Sequence, residues 1–232
     1  METSTAVGSV ALVDENKTLA ELIVAEGLTH SRTLLPSVER LLSETGMSVS
    51  DLDLIAVTVG PGSFTGLRIG LSAAKGLAWA AQKPLVGVPS LDTLARNLTP
   101  GPRQFCPMID ARKGEVYAAL YKFSSGDTIQ RLTEFGAFKP ERLAELIKEE
   151  TAFFGDAART WGRVLSDTLG PLYIRAPQEL DYPRAAITAR LGMALFAEGV
   201  ESDPALIVPL YIRPSEAELS WAARQKRLEC AI

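Results

Sequence analysis

The sequence predicts an α/β fold made of two copies of a βββαβα unit, with helices packed on mixed sheets. Three observations carry this. Short β-branched or aromatic runs open each half and are joined by hairpin-type turns. Each half then passes from strand period to helix period and back, as crossover connections onto a sheet require. The order breaks at Thr99-Pro100-Gly101-Pro102 and restarts at Phe105. Two lobes are expected, residues 1–100 and 101–232, each long enough to bury a core.

In the first half, a strand running to about Thr5, a second from Val7 to Asp14 and a third from Lys17 to Ala25 are expected, with a turn at Glu15-Asn16. A helix follows from about Thr33 to Thr45, because Leu34, Leu35, Val38, Leu41 and Leu42 form an apolar stripe opposite Arg32, Glu39, Arg40, Ser43 and Glu44. Pro36 fits only the first turn, where its missing N–H has no partner to lose. The run Leu54 to Gly60 reads as a strand, Ser63 or Thr65 as a helix cap, and Thr65 to Gln82 as a long helix. A short strand (Pro84 to Val88) and helix (Ser90 to Asn97) close the half. The second half repeats the plan with strands Phe105–Asp110, Glu115–Phe123 and Thr128–Thr133, a helix Pro140–Glu150, a strand Thr151–Phe154 and a helix Ala157–Leu165.

The segment Gly60-Pro61-Gly62-Ser63-Phe64-Thr65-Gly66 is the most informative stretch. Such a strand–loop–helix either offers backbone N–H groups to an anion or sets a helix for close packing. Its spacing is not that of a phosphate-binding P-loop, and Arg68 stands where a Lys-Ser/Thr pair is required. Gly66, Gly70 and Ala74 recur every four residues, beside Leu67, Leu71 and Ala78. Glycine in a helix interior costs about 0.8–1 kcal/mol against alanine, so Gly66, Gly70 and Gly76 need a compensating contact. The protein's own sheet supplies it in one reading. In the sharper reading this face joins the apolar stripe of the first helix as half of a bundle with a partner.

Composition excludes several classes. At 47% hydrophobic and 22% charged residues, the chain has an ordinary globular balance. A net charge of −4 and a pI near 5.2 argue against a chain that grips nucleic acid unaided, so any RNA is expected to be held by a partner. No apolar run is long enough to span a membrane, and Met1-Glu2-Thr3-Ser4 lacks the features of a signal peptide, so a cytosolic location is expected. Cys106 and Cys230 read as reduced thiols. His30, the one histidine, reads as a polar residue before a helix rather than a base, and Asp51 and Asp53 as a turn. Arg224, Lys226 and Arg227 read as a solvated helix face. The leading hairpin turns of the two halves, Glu2 to Gly8 and Asp110 to Glu115, each open on an acid. Arg112 and Lys113 occupy the second where glycines would let amides approach a phosphate. Glu2 and Asp110 are thus read as closing their hairpins, and no catalytic, cofactor or metal residue is expected.

Four groups of residues resemble those of the bacterial TsaB (YeaZ) family of tRNA threonylcarbamoyladenosine biosynthesis proteins, which has an actin-like (ribonuclease H-like) fold. They are Thr3-Ser4-Thr5 with Gly8-Ser9-Val10-Ala11, His30-Ser31 with Leu34-Leu35-Pro36, the block Gly60 to Gly70, and Asp110-Ala111-Arg112 with Gly114-Glu115-Val116-Tyr117. Phe154-Gly155-Asp156-Ala157-Ala158, Pro209 with Tyr211-Ile212-Arg213, and Glu216-Ala217 follow in order. The resemblance implies a non-catalytic subunit that binds a TsaD-like transferase, with a TsaE-like ATPase and tRNA reached through the complex, and a homodimer also known in the family. It carries a partner interface onto Leu34, Leu35, Val38, Leu41 and Leu42 of the first helix and Gly66, Gly70, Ala73, Ala74 and Leu77 of the second. The alternative kept open is an active ATP-dependent transferase or peptidase of the actin-like superfamily. Family members carry a short apolar run before the Thr-Ser-Thr segment, whereas Met1 here directly precedes Glu2, so either the first and central strand is short or its start has been trimmed.

Overall fold

The computed structural model describes residues 1–15, 17–24, 29–99, 104–124 and 128–213. The Glu15-Asn16 turn, the Pro100–Pro102 break, the basic cluster Arg224, Lys226 and Arg227, the Glu216-Ala217 landmark and Cys230 fall partly or wholly outside them.

The first half forms β1 (Gly8–Val13), β2 (Thr18–Val24), α1 (His30–Thr45), β3 (Ile55–Gly60), α2 (Phe64–Ala81), β4 (Leu85–Pro89) and α3 (Ser90–Ala95). The second forms β5 (Gln104–Arg112), β6 (Glu115–Ala118), β7 (Tyr121–Phe123), β8 (Ile129–Arg131), β9 (Gly136–Phe138), α4 (Pro140–Leu146), β10 (Thr151–Phe154), α5 (Asp156–Leu169), β11 (Tyr173–Arg175) and α6 (Ala185–Ala197). The α/β fold class is as predicted. The strand expected at Glu115–Phe123 is broken at Ala119-Leu120, so that β6 and β7 both lie along β5.

The strand expected to run to Thr5 is reduced to a single bridge between Glu2 and Ser9. With that strand so short, β1 pairs antiparallel with β2 and β3 parallel with β4 as two separate two-stranded sheets. Among the described residues, the backbone hydrogen bonds between them run through Met1 and Glu2. The Met1 amine donates to the Ala56 carbonyl at 2.7 Å and Thr58 N–H donates to the Met1 carbonyl at 3.1 Å. On the other side, Glu2 exchanges both backbone bonds with Ser9.

Alternation along the strands fixes the layers. Val10 and Leu12 pack on Leu34 and Leu41 of α1, and Ile55, Val57 and Val59 on Leu71, Ala74 and Ala78 of α2. The intervening Ala56 faces the opposite side, with Leu191 of α6. In the second sheet, ordered β11-β10-β5-β6-β9, Met108, Val116 and Phe153 pack on α4 and α5. Its other face, with Phe105, Ile109 and Tyr121, receives Leu91, Leu94 and Ala95 of α3. Each half thus lends one helix to the other: α3 covers the second sheet and α6 the first. The N-terminus of α6 is tied to the first sheet by the Glu21 carboxylate, which accepts from Ala186 N–H at 3.1 Å and pairs with Arg184, while Ser9 Oγ accepts from Ala185 N–H at 2.9 Å.

Candidate functional site

The Gly60–Gly66 loop packs against the chain's own start. Ser63 N–H donates to the Ser4 carbonyl at 2.7 Å, Thr3 Oγ1 donates to the Gly66 carbonyl at 2.9 Å, and Ser63 Oγ accepts from Gly66 N–H at 3.2 Å as the cap of α2. A Cβ on Gly66 would strike the Thr3 carbonyl oxygen, and one on Gly70 would strike Thr3 Oγ1. Ala74 is fully buried with Val57 in the core under α2. The small-residue row therefore faces the protein's own sheet and its N-terminal segment, which resolves the two readings of those glycines toward internal packing.

Six of the ten candidate interface residues, Leu34, Leu41, Leu42, Gly66, Gly70 and Ala74, are buried inside the first lobe. Val38 and Ala73, with Ile69, lie half-buried in the seam where α1 and α2 meet, and Leu77 is half-buried under α2. Leu35 remains exposed at 51%. The open face of α2 is a different line from the one expected: Arg68, Ser72, Gly76 and Trp79, with Trp79 at 74% exposure. A row of alanines and glycines has the same period whether it meets a sheet or a partner, whereas a lone tryptophan on the polar side of a helix is a signal the sequence reading missed.

A cleft of about 550 Å³ separates this region from the second sheet. Ser4, Thr5, Ser63 and Thr65 line one wall, Asp110, Arg112 and Asp156 the other. Burial pushes the Asp156 carboxyl up to about 6, although Asp110 N–H donates to it at 2.9 Å. Arg112 and Lys113 adopt left-handed backbone, φ 62° and 54°, so the turn keeps a glycine-like shape without glycine. Its first free amide is already used, since Arg112 N–H donates to Asp110 Oδ1 at 2.8 Å. Glu2 is not in the cleft. Fully buried, it accepts from Ser4 N–H and Ser4 Oγ, and burial raises its pKa. Glu2 and Asp110 thus close separate turns, and among the described residues no cluster of three His, Cys, Asp or Glu could hold a metal. His30 also has a structural role, its Nε2 lying 2.8 Å from the Thr5 carbonyl. Asp51 closes a capping box with Ser48. Cys106 is buried in the second core, its thiol pushed up by desolvation.

The C-terminal strap Ile207–Arg213 closes the cleft. Leu210 N–H donates to the Val59 carbonyl at 2.7 Å, and Tyr211 stacks on Phe64 at 4.8 Å while its hydroxyl accepts from Arg68 Nε. The Arg68 guanidinium lies 3.8 Å over the Phe64 ring, and Arg213 reaches Glu115 of β6 at 2.6 Å. Arg68 thus serves the strap rather than a phosphate.

Two α/β halves that exchange helices around a cleft define an actin-like domain, here with one helix face left open. The family profile described as "TsaD: tRNA N6-adenosine threonylcarbamoyltransferase" matches residues 27–221. The tRNA threonylcarbamoyladenosine biosynthesis protein TsaB of Bacillus subtilis is 34% identical over 229 residues, 97% of this chain and 98% of that protein. A tRNA N6-adenosine threonylcarbamoyltransferase of Sorangium cellulosum is 37% identical over 136 residues, 54% of this chain and 38% of that protein. The solved structure of YeaZ from Pseudomonas aeruginosa superposes with a TM-score of 0.77 at 31% identity, covering 90% of this chain and 96% of that one. The chain belongs to the TsaB (YeaZ) family. No helix among the described residues is long and apolar enough to cross a membrane.

Proposed function

We propose that this chain is a partner-binding subunit in tRNA threonylcarbamoyladenosine biosynthesis, docking on a TsaD-like transferase through α1 and the open line of α2 and leaving the chemistry to that partner. The observation that carries the reading is Trp79, 74% exposed on a helix whose opposite side is fully packed. Full-length likeness to TsaB proteins, together with likeness to the transferase over about half the chain, supports an assembly of related folds. The interface of this reading keeps Leu35, Val38, Ala73 and Leu77 and adds Ser72, Gly76 and Trp79. Leu34, Leu41, Leu42, Gly66, Gly70 and Ala74 support it from beneath. The net charge of −4 suits a subunit that reaches tRNA through its partner. A TsaE-like ATPase joining through the complex and a homodimer of the free chain belong to the same reading.

Titration of a TsaD-like transferase with Trp79→Asp tests it. Affinity is expected to fall at least about tenfold, equivalent to about 1.4 kcal/mol, with unchanged melting of the free chain. Equal affinity for parent and variant would reject the surface.

A second reading, an active ATP-dependent enzyme, draws on the hydroxyl-lined cleft and Asp156. Calorimetry of the isolated chain with ATP and magnesium separates the two. Micromolar binding lost in Asp110→Ala supports the enzyme, and no heat supports the subunit.

A further inference from the structure

A groove of about 480 Å³ runs between the exposed face of α5 and β11, the edge strand of the second sheet. Arg159, Arg163 and Ser166 line it from α5, Tyr173 and Arg175 from β11, and Gln178 from the turn that follows. Three arginines and no carboxylate thus line one groove of a chain whose net charge is −4. The cleft between the halves differs in this respect, because Asp110 and Asp156 stand among its cations. Arg159 and Arg163 are four residues apart on α5 and so share one face. Gly162 sits beside them, and a Cβ there would come within 2.7 Å of the Tyr173 hydroxyl oxygen. Glycine therefore lets β11 close onto the helix and leaves the floor of the groove open. Tyr173 is held by stacking on Phe153 at 5.0 Å. Arg175 is fixed as well, its Nη1 donating to the carbonyls of Phe153 at 3.1 Å and Ala176 at 2.8 Å while its Nη2 pairs with Asp181 at 2.5 Å. Arg159 Nη1 donates to the Tyr182 hydroxyl at 2.5 Å. Arg163 differs from both. Asp167 lies 3.9 Å from it and both side chains are largely exposed, so water screens that pair.

We propose that this groove takes the sugar–phosphate backbone of an RNA strand, with Arg163 as its main phosphate contact, once a partner subunit has brought the RNA to the complex. Planar guanidinium groups give phosphate oxygens parallel N–H bonds, and arginines held in place lose little freedom in doing so. The hydroxyls of Ser166 and Tyr173 and the Gln178 amide, on the same walls, suit ribose hydroxyls. Because every one of these contacts is to backbone, the groove adds affinity without reading sequence. The proposal rests on the reading of this chain as a subunit in tRNA modification and deepens it. The net charge argues against an unaided grip on RNA, and a short groove of this kind adds to a grip that another subunit begins. Its place in the fold is compatible with docking. α5 packs on the second sheet and α1 and α2 on the first, so groove and docking face belong to different halves.

The test titrates tRNA into the complex of this chain with a TsaD-like transferase at several salt concentrations, for the parent, for Arg163→Glu and for Lys122→Glu. The last is a control with the same change of charge, placed on β7, which lies on the other side of β5 from β10 and β11. Arg163→Glu is expected to weaken tRNA binding at least about fivefold and to make the slope of log affinity against log salt shallower by about 1. Complex formation and melting should not change, and Lys122→Glu should match the parent. Equal affinity and slope for the parent and Arg163→Glu, or equal losses in the two variants, would overturn the proposal. Poly-glutamate titrated in the same way tests the chemistry of the ligand: a loss on Arg163→Glu as large as that for tRNA would overturn the assignment to RNA. Complex formation is read first, by size-exclusion chromatography. Its absence would reject the docking surface, and the same titrations on the free chain at low salt would then decide the groove.

Discussion

Replacing Gly66 and Gly76 separately by alanine turns one helix into its own control. The Cβ of Gly66→Ala would sit more than about 1 Å inside ordinary contact with the Thr3 carbonyl oxygen and 3.3 Å from Ser63 Cβ. Both neighbours are held, Thr3 by its bond to the Gly66 carbonyl and Ser63 as the cap, so α2 must lift away from the Met1–Thr5 segment. Overpacking of this kind costs about 1–3 kcal/mol, and the loss of the buried Thr3 hydroxyl bond about 1–3 kcal/mol more. Better helix propensity returns only about 1 kcal/mol. A net loss of about 2–4 kcal/mol lowers the melting temperature by roughly 5–15 °C for a chain of this size. A Cβ on Gly76 meets nothing within 4 Å, so Gly76→Ala should keep the propensity gain and raise melting by about 2–4 °C. Calorimetric melting of the three chains is the assay. A Gly66→Ala chain as stable as Gly76→Ala would refute the claim that the small-residue row is packed on the protein's own N-terminal segment.

Three further outcomes are expected. Glu21→Ala should destabilise the chain by about 2 kcal/mol in denaturant titration, because it removes the carboxylate that caps α6 and pairs with Arg184. Asp156 has a folded-state pKa raised to about 6, so it favours the folded state below its unfolded value of 3.8 and loses that contribution as pH rises through 6. Stability contributed by this group therefore falls between about pH 4 and 6, and Asp156→Asn should flatten that part of a stability–pH profile. The Met1 amine is lowered from 8.0 to about 6, so its contribution is present above pH 8 and is lost as pH falls through 6. Blocking the amine by acetylation should abolish the pH dependence in that upper window.

Periodicity carried the long elements because their signals repeat over several turns. The helix expected from Thr33 begins at His30, and that expected from Thr65 begins at Phe64 behind the Ser63 cap. Short elements did not announce themselves. β9 and β11 are three residues each, too short for alternation to register, and α6 is apolar almost all round, so its sequence shows no stripe. The candidate site was legible by element and not by face. α1 and α2 are the helices in question, yet the residues chosen from their apolar stripe and glycine row are mostly those the fold consumes. What distinguishes an inward row from an outward one is the neighbour it meets, here Thr3, some sixty residues away in sequence.

The exchange of α3 and α6 makes the two halves mutually dependent. Residues 185–197 lie far along the chain but complete the first sheet, and residues 90–95 complete the second. A chain cut in the connection between α3 and β5 would leave each fragment with a bare apolar sheet face and a helix that has nowhere to pack. The intact chain should accordingly melt in one calorimetric step despite its duplicated plan. After such an exchange neither copy can change its helix alone, because the surface that tolerates or rejects the change belongs to the other.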